Sequence, residues 1–420
     1  MSTQAQIDYL IVGGGLAAVR AVEGIREVDQ AGEIALVTAE PHPPYERPPL
    51  SKGVLLGTDP VESVFPHPHD WYAEHGVTLY LGDPAVAVDA SAHRLHLASG
   101  TGIGWQRLLL ATGSRLRKLD VPGADLAGVG YLRTLADSLN LLERFRERAD
   151  VVVVGAGWIG LEVAAAARQH HCHVTVLEPQ AAPLVRTMGE RVGGWFADLH
   201  TRHGVDLRLG VAVERLVGNG AVAGVVTDSG VTIPADVVVV GVGIQPETAL
   251  AQTAGVALDN GVLTDSALRT SIPGIWAAGD VANWDSGLLG RHVRVEHWAN
   301  AYDGGLAAGR SMAGAEVTYD PVPFFYSDQY DVGLEYAGYV PPDAGAEVVI
   351  RGDPATDKFM VFWVQSSGGV RRVLAGMHVN TWDTMDAVQA LIRNRTPVDV
   401  ARLSDAHVPL DELVSSRSPG

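Results

Sequence analysis

Near its start the chain reads Ile7-Asp8-Tyr9-Leu10-Ile11-Val12-Gly13-Gly14-Gly15-Leu16-Ala17-Ala18, an apolar run that glycines interrupt and a helical pattern continues. Gly13 permits a tight turn, Gly15 lets backbone N–H groups approach a pyrophosphate, and Ala18 is small enough for close packing of a helix on a strand. The next apolar run is followed by Glu40, a carboxylate suited to accept hydrogen bonds from an adenosine ribose. The stretch therefore predicts a strand, a turn and a helix that form a dinucleotide site.

A second copy of the pattern reads Val151-Val152-Val153-Val154-Gly155-Ala156-Gly157-Trp158-Ile159-Gly160-Leu161-Glu162. Here the full GxGxxG stands directly after four valines and directly before a helical run, which is the context that makes the motif specific. The following apolar run ends in Glu178, and no Arg or Lys comes immediately after it to receive a 2′-phosphate. We therefore predict a second dinucleotide site that favours NAD(H) over NADP(H).

Composition limits the class of protein. The chain has 420 residues, 47% of them hydrophobic and 19% charged, which is ordinary for a soluble α/β protein of two or three domains. A formal net charge of −18 argues against nucleic acid or an anionic membrane as partner. No apolar run approaches the ~20 residues of a membrane-spanning helix, and the N-terminus lacks a basic-then-apolar signal segment, so we expect a cytoplasmic protein.

The number of cysteines excludes a mechanism that relays electrons through an internal dithiol. Cys172 is the only cysteine, so the chain has neither an internal disulfide nor a CxxC dithiol relay. It lies in the segment His170-His171-Cys172-His173, whose spacing does not match that of zinc ligands, and we predict no metal site. Cys172 is expected to be a small buried hydrophobic residue.

Three other segments carry polar groups suited to a cofactor. A Pro-rich loop over 41–52 places Arg47 and Lys52 on stiffened backbone, where they could contact a diphosphate and a flavin ring; the alternative is a rigid surface connection. A buried strand over 108–114 ends in a Thr-Gly turn. A later apolar strand ends in Asp280, which suits a ribityl hydroxyl or a plain helix N-cap.

Together these residues resemble a known family over essentially the whole chain: the flavoprotein ferredoxin reductases of bacterial cytochrome P450 and Rieske oxygenase systems. The sequence is also similar to rubredoxin reductases and to the apoptosis-inducing-factor group. The matching pieces are the GGGxxA turn, Tyr45-Glu46-Arg47-Pro48-Pro49-Leu50-Ser51-Lys52, Ala111-Thr112-Gly113-Ser114, Leu132-Arg133-Thr134-Leu135, the GAGWIGLE run, Ala278-Gly279-Asp280 and Tyr326-Ser327-Asp328-Gln329.

The resemblance implies an α/β fold class with two doubly wound, Rossmann-like nucleotide-binding domains of the glutathione-reductase type and a C-terminal α+β interface domain. The expected boundaries are 1–116 and 245–322 for the two parts of the FAD domain, 117–244 for the NAD domain, 323–412 for the C-terminal domain and 413–420 for a disordered tail.

The resemblance also implies the site residues. The FAD contacts would be Gly13, Gly14, Gly15, Ala18, Glu40, Arg47, Lys52, Val86, Ala111, Thr112, Gly113, Arg133, Gly279, Asp280, Glu296, His297 and Trp298. The NAD contacts would be Gly155, Gly157, Trp158, Ile159, Gly160, Glu178 and Gly243. Three positions depart from the reductase pattern: Tyr326 replaces the usual Trp, Glu247 replaces the usual Asn, and Glu296-His297-Trp298 is nearer to the apoptosis-inducing-factor pattern.

For the chemistry we predict that Lys52 and Glu162 form a charge pair beside flavin N5, where a cation stabilises the charge of the reduced ring. The alternative is an ordinary interdomain salt bridge. Trp158 is predicted to act as an aromatic gate over the flavin, with core packing as the alternative.

Electrons would then pass singly to an acidic iron–sulfur ferredoxin, which could dock on basic residues. The candidates are Arg115, Arg117, Lys118, Arg291, Arg294 and Arg310. One alternative is an NADH-sensing flavoprotein with a long-lived reduced complex, and another is a reductase of rubredoxin, quinone or oxygen. We expect a monomer or weak homodimer.

Overall fold

The computed structural model describes residues 6–415. Its strands are β1 (Ile7–Val12), β2 (Ile34–Thr38), β3 (Val77–Leu81), β4 (Ala85–Asp89), β5 (Arg94–Leu97), β6 (Gly102–Leu110), β7 (Ser114–Leu116), β8 (Val129–Gly130), β9 (Asp150–Val154), β10 (His173–Glu178), β11 (Asp206–Leu209), β12 (Val213–Asn219), β13 (Ala221–Thr227), β14 (Thr232–Pro234), β15 (Val237–Val240), β16 (Ile244–Pro246), β17 (Val262–Thr264), β18 (Ile275–Ala277), β19 (Ala282–Ser286), β20 (Arg291–Val293), β21 (Phe324–Gln329), β22 (Val332–Gly338), β23 (Glu347–Asp353), β24 (Lys358–Ser367) and β25 (Val370–Val379).

The α-helices are α1 (Leu16–Val28), α2 (Gly53–Leu56), α3 (His69–Glu74), α4 (Leu135–Arg146), α5 (Trp158–Gln169), α6 (Val185–Met188), α7 (Glu190–Arg202), α8 (Ala249–Ala254), α9 (Trp298–Met312), α10 (Met385–Arg393), α11 (Val400–Ser404) and α12 (Leu410–Ser415). Short 3₁₀ turns occupy Pro48–Ser51, Val61–Val64, Gly279–Val281 and Pro354–Thr356. Among the described residues, none of the helices combines the length and the apolar character needed to cross a bilayer.

The chain divides into two compact units. The first comprises residues 1–46, 62–115 and 245–325, and the second comprises 47–61, 116–244 and 326–420. The chain thus changes unit at 115/116 and 244/245, close to the ends that the sequence suggests for the NAD domain. The short segment 47–61, which carries Arg47 and Lys52, belongs to the second unit.

The first unit is built on a parallel sheet in the order β3-β2-β1-β6-β18. All five residues of β2 are buried, as expected for a strand covered on both faces. β6 is long enough to serve two sheets: Arg94 of β5 lies opposite Gly104 in an antiparallel pair, whereas Leu108 lies opposite Leu10 of β1 in a parallel pair. The carboxyl ends of β1 and β2 are therefore placed side by side, which is where a Rossmann fold binds its ligand.

Small residues bring α1 and α9 into close contact in the first unit. A Cβ atom built on Gly305 would lie 2.4 Å from the carbonyl oxygen of Ala17, and one on Gly309 would lie 2.1 Å from that of Ala21. Glycine inside a helix costs about 1 kcal/mol relative to alanine, so close helix packing has to offset that cost here. The contact fixes α1, whose N-terminus follows the first glycine turn.

The second unit contains a parallel sheet in the order β11-β10-β9-β15-β8. β15 and the four valines of β9 are buried throughout. A separate sheet in the order β21-β22-β25-β24-β23 forms the C-terminal part of this unit, and the pairs β22–β25, β25–β24 and β24–β23 are antiparallel. The predicted fold class is confirmed: two doubly wound nucleotide-binding folds and an α+β C-terminal part.

Two local expectations need correction. The predicted disordered tail over 413–420 begins too early, because α12 continues to Ser415 and the Leu413 side chain is buried; the remainder, 416–420, lies outside the described residues. The run over 294–301 also predicts a helix from its first residue, but α9 begins at Trp298, with His297 at the N-cap in extended conformation.

Candidate functional site

The first glycine turn leaves room for a ligand on one side only. A Cβ on Gly13 would lie 2.2 Å from the carbonyl oxygen of Ala111, and one on Gly14 would lie 2.4 Å from Oγ1 of Thr38. A Cβ on Gly15, in contrast, would meet no atom of residues 6–415 within 4 Å apart from those of its immediate chain neighbours and its own helix. Gly15 is also the N-cap of α1, and no side chain caps that helix. The backbone N–H groups of its first turn are therefore available to a pyrophosphate, and this turn fits FAD.

Glu40 follows β2, whose carboxyl end is adjacent to that of β1. Its Oε2 accepts a hydrogen bond of 2.6 Å from the hydroxyl of Tyr45, whose side chain is only 1% exposed. The backbone N–H of Glu40 donates to Oγ1 of Thr38 at 3.2 Å. The carboxylate is thus held in place, and its role as a ribose acceptor stays a prediction.

The C-terminal part of the first unit brings together other predicted flavin contacts. Trp298 donates from Nε1 to Oε2 of Glu46 at 2.8 Å and stacks on Tyr302 with ring centroids 4.8 Å apart. The Nδ1 atom of His297 is enclosed and meets no hydrogen-bond partner in the described part of the chain. Burial lowers the pKa of His297 to about 4, so its ring is neutral near pH 7. A buried, unsatisfied ring nitrogen is the kind of group that a bound cofactor satisfies.

The remaining predicted FAD contacts of the first unit lie in loops and short turns. The hydroxyl of Thr112 donates to the carbonyl of Glu247 at 2.7 Å. Arg294 donates to the carbonyl of Asp280 at 3.2 Å and pairs with Glu296 at 2.7 Å. Gly113 and Gly279 both have positive φ angles, 66° and 76°. Val86 is 53% exposed, and its role as a flavin contact stays a prediction.

The second glycine turn repeats the geometry with a tighter third position. Gly155 has φ +102°, and a Cβ there would lie 2.5 Å from the carbonyl oxygen of Gly241. A Cβ on Gly160 would lie 2.1 Å from the carbonyl oxygen of Gly155. One on Gly157 would have only its chain neighbours and its own helix within 4 Å in the described part of the chain. Gly157 is the N-cap of α5, again without a side-chain cap. The open side of this turn fits the pyrophosphate of a dinucleotide.

The acid of the second site is tied to the turn itself. Oε2 of Glu178 accepts from the backbone N–H of Ala156 at 2.8 Å, and Oε1 accepts from that of Gln180 at 2.9 Å. Glu178 is 9% exposed and lies at the end of β10. Gly243, with φ +99°, accepts from the N–H of Arg117 through its carbonyl at 3.0 Å.

Lys52 and Glu162, predicted as a pair from positions far apart in sequence, are in contact within the second unit. Nζ of Lys52 lies 2.9 Å from Oε2 of Glu162, and Glu162 is 4% exposed. Two hydroxyls add to this pair: Ser51 donates to Oε2 and Ser327 donates to Oε1. Lys52 also lies over the ring of Tyr326, 5.5 Å from its centroid. The carboxylate therefore has three donors and the ammonium is held at one place.

The other candidates of the second unit have structural contacts that leave their roles as predictions. Arg47 donates to the carbonyl of Arg133, and the N–H of Arg133 donates to Asp137 at 3.0 Å. Trp158 meets Phe196 edge-to-face with centroids 5.4 Å apart. Ile159, in the first turn of α5, is 45% exposed.

Sequence reasoning missed several polar residues around Glu162. Ser51, Ser327 and Gln329 belong to sequence motifs that assign them no individual role, and His200 belongs to none of the motifs, although it is fully buried. The available signal was chemical: a buried histidine and a buried glutamine require partners. Which partners they have depends on tertiary contacts that no local pattern contains.

The chain matches known proteins over nearly all of its length. Residues 7–305 match the family model described as pyridine nucleotide-disulphide oxidoreductase, and residues 324–414 match the reductase C-terminal domain. The ferredoxin–NAD(+) reductase component of the anthranilate 1,2-dioxygenase system of Burkholderia cepacia is 40% identical over 405 residues, 96% of this chain and 98% of that protein. Rhodocoxin reductase of Rhodococcus erythropolis is 40% identical over 358 residues, 85% of this chain and 83% of that protein.

A solved structure extends the likeness to three dimensions. The crystal structure of the covalent putidaredoxin reductase–putidaredoxin complex superposes with a TM-score of 0.93 at 34% identity, covering 99% of this chain and 100% of that chain. The predicted family is therefore confirmed. The chain belongs to the pyridine nucleotide-disulphide oxidoreductase family, a family of enzymes that use FAD and NAD(H), and it carries that family's reductase C-terminal domain.

Proposed function

We propose that this chain is a ferredoxin–NAD(+) reductase: it takes a hydride from NADH and passes electrons one at a time to a small iron–sulfur ferredoxin that feeds a cytochrome P450 or Rieske-type oxygenase. The Lys52–Glu162 pair carries the proposal, because Glu162, on the helix that begins at the predicted NAD turn, holds the Lys52 ammonium beside that helix. The names of the relatives agree with it, since they include a ferredoxin–NAD(+) reductase component and a reductase complexed with putidaredoxin.

Cysteine content favours an external electron acceptor. The family name refers to disulfide substrates, but Cys172 is the only cysteine of this chain and is fully buried. Burial raises the pKa of its thiol, which opposes the thiolate form that thiol chemistry requires. Without an internal dithiol, electrons leave the cofactor for another molecule.

The residues would divide the work between binding and electrostatics. Bound FAD supplies the ability to accept a hydride and to release electrons singly. Lys52 would hold positive charge beside the ring, and Glu162, with its two serine donors, would keep the ammonium in place. Trp158 would act as an aromatic gate over the flavin. The carboxylate of Glu178 would accept from the adenosine ribose of NADH and disfavour a 2′-phosphate.

Ferredoxin docking would use a smaller set of cations than the sequence offers. Arg294 and Arg310 pair with Glu296 and Glu27. Nε of Arg117 donates to the carbonyl of Ile244 at 3.3 Å, and Lys118 lies over the ring of Tyr131, 4.0 Å from its centroid. We propose Arg117 and Lys118 as the first residues to test for attraction of an acidic ferredoxin. We place the reaction in the cytoplasm because NADH is the proposed donor.

Anaerobic stopped-flow absorbance of the flavin-loaded protein tests the proposal. Mixing with NADH should bleach the flavin band rapidly, mixing with NADPH should bleach it much more slowly, and a [2Fe–2S] ferredoxin should then restore the band faster than air does. No bleaching with either nucleotide would refute the enzyme assignment. Bleaching that persists for minutes in the presence of ferredoxin and air would favour an NADH sensor of the apoptosis-inducing-factor type.

A further inference from the structure

Besides the ion pair with Lys52, Glu162 is the end of a series of side-chain hydrogen bonds, called the hydrogen-bond chain below. Oε1 of Glu162 is 2.5 Å from Oγ of Ser327, and that oxygen is 3.2 Å from Nε2 of Gln329. Oε1 of Gln329 is 2.8 Å from Nε2 of His200, and Nδ1 of His200 is 3.2 Å from the hydroxyl of Tyr330. Ser327, Gln329 and His200 are each no more than 2% exposed. This hydrogen-bond chain joins α5, β21 and α7 within the second unit.

The chemistry of each link fixes its direction. The ionised carboxylate of Glu162 only accepts, so Ser327 must donate to it and is left to accept from the Gln329 amide N–H. The amide oxygen of Gln329 also only accepts, so Nε2 of His200 carries a proton. Nδ1 of the neutral ring then accepts from the hydroxyl of Tyr330. Every donor in the chain therefore points towards Glu162.

The surroundings of His200 favour this neutral form. Burial lowers the pKa of His200 to about 4, against the opposing effect of its hydrogen bond to Gln329. His203, which stacks on Tyr330 with centroids 3.7 Å apart, would repel a second charge when protonated. Reversing one link would leave a buried donor or acceptor unsatisfied, so the whole chain is held in one orientation.

We propose that His200 is a positioning residue for the hydride-transfer site: as the neutral Nε2–H tautomer it orients Gln329 and Ser327, which fix the Glu162 carboxylate and thereby the Lys52 ammonium. The inference rests on the proposed function for its kinetic consequence but not for its hydrogen-bond direction. It assigns a role to a histidine that lies outside both glycine turns.

The direction of the chain is tested by ¹⁵N NMR of the histidine rings in the flavin-loaded protein, with His200 assigned from the spectrum of His200→Gln. The expected result is a neutral ring with the proton on Nε2 at pH 7. A ring protonated on Nδ1, or a charged ring at that pH, would overturn the proposal. This measurement requires no ferredoxin and no NADH.

The role in positioning is tested by His200→Phe, with His203→Phe as the matched control. Nδ1 of His203 donates to the carbonyl of Leu199 at 2.8 Å, and its Nε2 lies 3.7 Å from Asp331, so its ring makes none of the hydrogen bonds described above. A phenylalanine ring at 203 can keep the stacking on Tyr330. We expect His200→Phe to slow flavin reduction at saturating NADH by about tenfold, the equivalent of one lost hydrogen bond, while the dissociation constant of NADH stays the same. The midpoint potential of the bound flavin should become more negative, because the Lys52 charge is less well held.

The conservative variant separates positioning from stability. His200→Gln keeps an N–H that can donate to Gln329, and it should recover most of the reduction rate and of the midpoint potential. If His200→Phe and His203→Phe behave alike, or if only the thermal midpoint changes, the role is merely structural and the proposal fails. If His200→Phe yields no folded holoprotein, Ser327→Ala breaks the chain next to Glu162, and a wild-type rate and potential in that variant would overturn the proposal. A wild-type protein that reduces no ferredoxin would refute the proposed function alone.

Discussion

The two glycine turns share a motif but restrain their acids differently. In the first turn Glu40 is held by a side chain, the hydroxyl of Tyr45 at 2.6 Å. In the second turn Glu178 is held by backbone N–H groups, including that of Ala156 inside the turn, at 2.8 Å. The acid of the second site thus accepts directly from the backbone of its turn, whereas the acid of the first site is linked to its turn through Tyr45, whose backbone N–H donates to the carbonyl of Gly14 at 3.3 Å. We therefore expect substitution of the acid to have different effects at the two copies of the motif.

The third position of the motif should show the largest difference. Gly160→Ala places a Cβ 2.1 Å from the carbonyl oxygen of Gly155, a backbone atom that cannot rotate away, whereas Ala18 already occupies the equivalent place in the first turn. We expect Gly160→Ala to lower the free energy of unfolding by about 3 kcal/mol and to abolish NADH binding. The control Ala18→Gly should cost about 1 kcal/mol, the helix-propensity difference. Urea unfolding and NADH titration give both values, and equal costs would contradict the comparison.

The buried histidines should make the free energy of unfolding depend on pH. Burial lowers the pKa of His200 to about 4, from 6.5 in the unfolded chain, so the unfolded state binds more protons between these values. Stability should therefore fall as pH decreases from 6.5 to 4, by about 3 kcal/mol from His200 alone. His297 of the first unit has its pKa lowered to about 4 by burial and acts in the same direction.

Urea unfolding at pH 7.5, 6, 5 and 4 measures this loss. His200→Gln should have a flatter profile than the wild type, because the variant lacks the titrating ring. Parallel profiles for the two proteins would show that His200 is protonated equally in the folded and unfolded states, contrary to its burial.

Much of the architecture could be predicted because its signals are local. The valines of β9 and the glycines after them specify a buried parallel strand and a turn, and both lie where expected. Lys52 and Glu162 could be paired because each belongs to a recognisable motif at a nucleotide site. The residues within one motif therefore carry enough information to place a strand and the turn that follows it.

The rest of the site depends on contacts between distant segments. Ser327 and Glu162 are 165 positions apart, and Gln329 and His200 are 129 positions apart. A serine and a glutamine in a strand have no period or spacing that indicates such partners, so their roles follow only from the packing of β21 against α5 and α7. Similarly, the only local indication that α9 packs closely on α1 is the presence of glycines within the α9 sequence.

Replacing Glu178 or Glu40 by glutamine should lower the free energy of unfolding moderately, and by different amounts. Glu178→Gln has one acceptor oxygen left for two backbone N–H groups, so a buried N–H loses its partner and unfolding should become easier by about 2 kcal/mol. Glu40→Gln keeps an oxygen that can accept from Tyr45 and should cost less than about 1 kcal/mol. Thermal unfolding of the two variants checks this order. Glu178→Gln should also weaken NADH binding and reduce the discrimination against NADPH, and equal destabilisation by both variants would argue against the backbone restraint.

A smaller loss of stability than that of Glu178→Gln is expected for Tyr45→Phe. The variant removes the hydroxyl that donates to Glu40 but keeps the ring, which is 1% exposed and fills its space in the core. We expect a loss of about 1 kcal/mol in the free energy of unfolding, a few-fold weaker retention of FAD during dialysis, and an unchanged dissociation constant for NADH. Phe65, which meets Tyr45 edge-on at 6.1 Å, provides the matched control as Phe65→Leu, because it changes ring packing and leaves the hydroxyl in place. FAD retention that falls in Phe65→Leu but not in Tyr45→Phe would show that the ring, rather than the hydrogen bond to Glu40, restrains the first site.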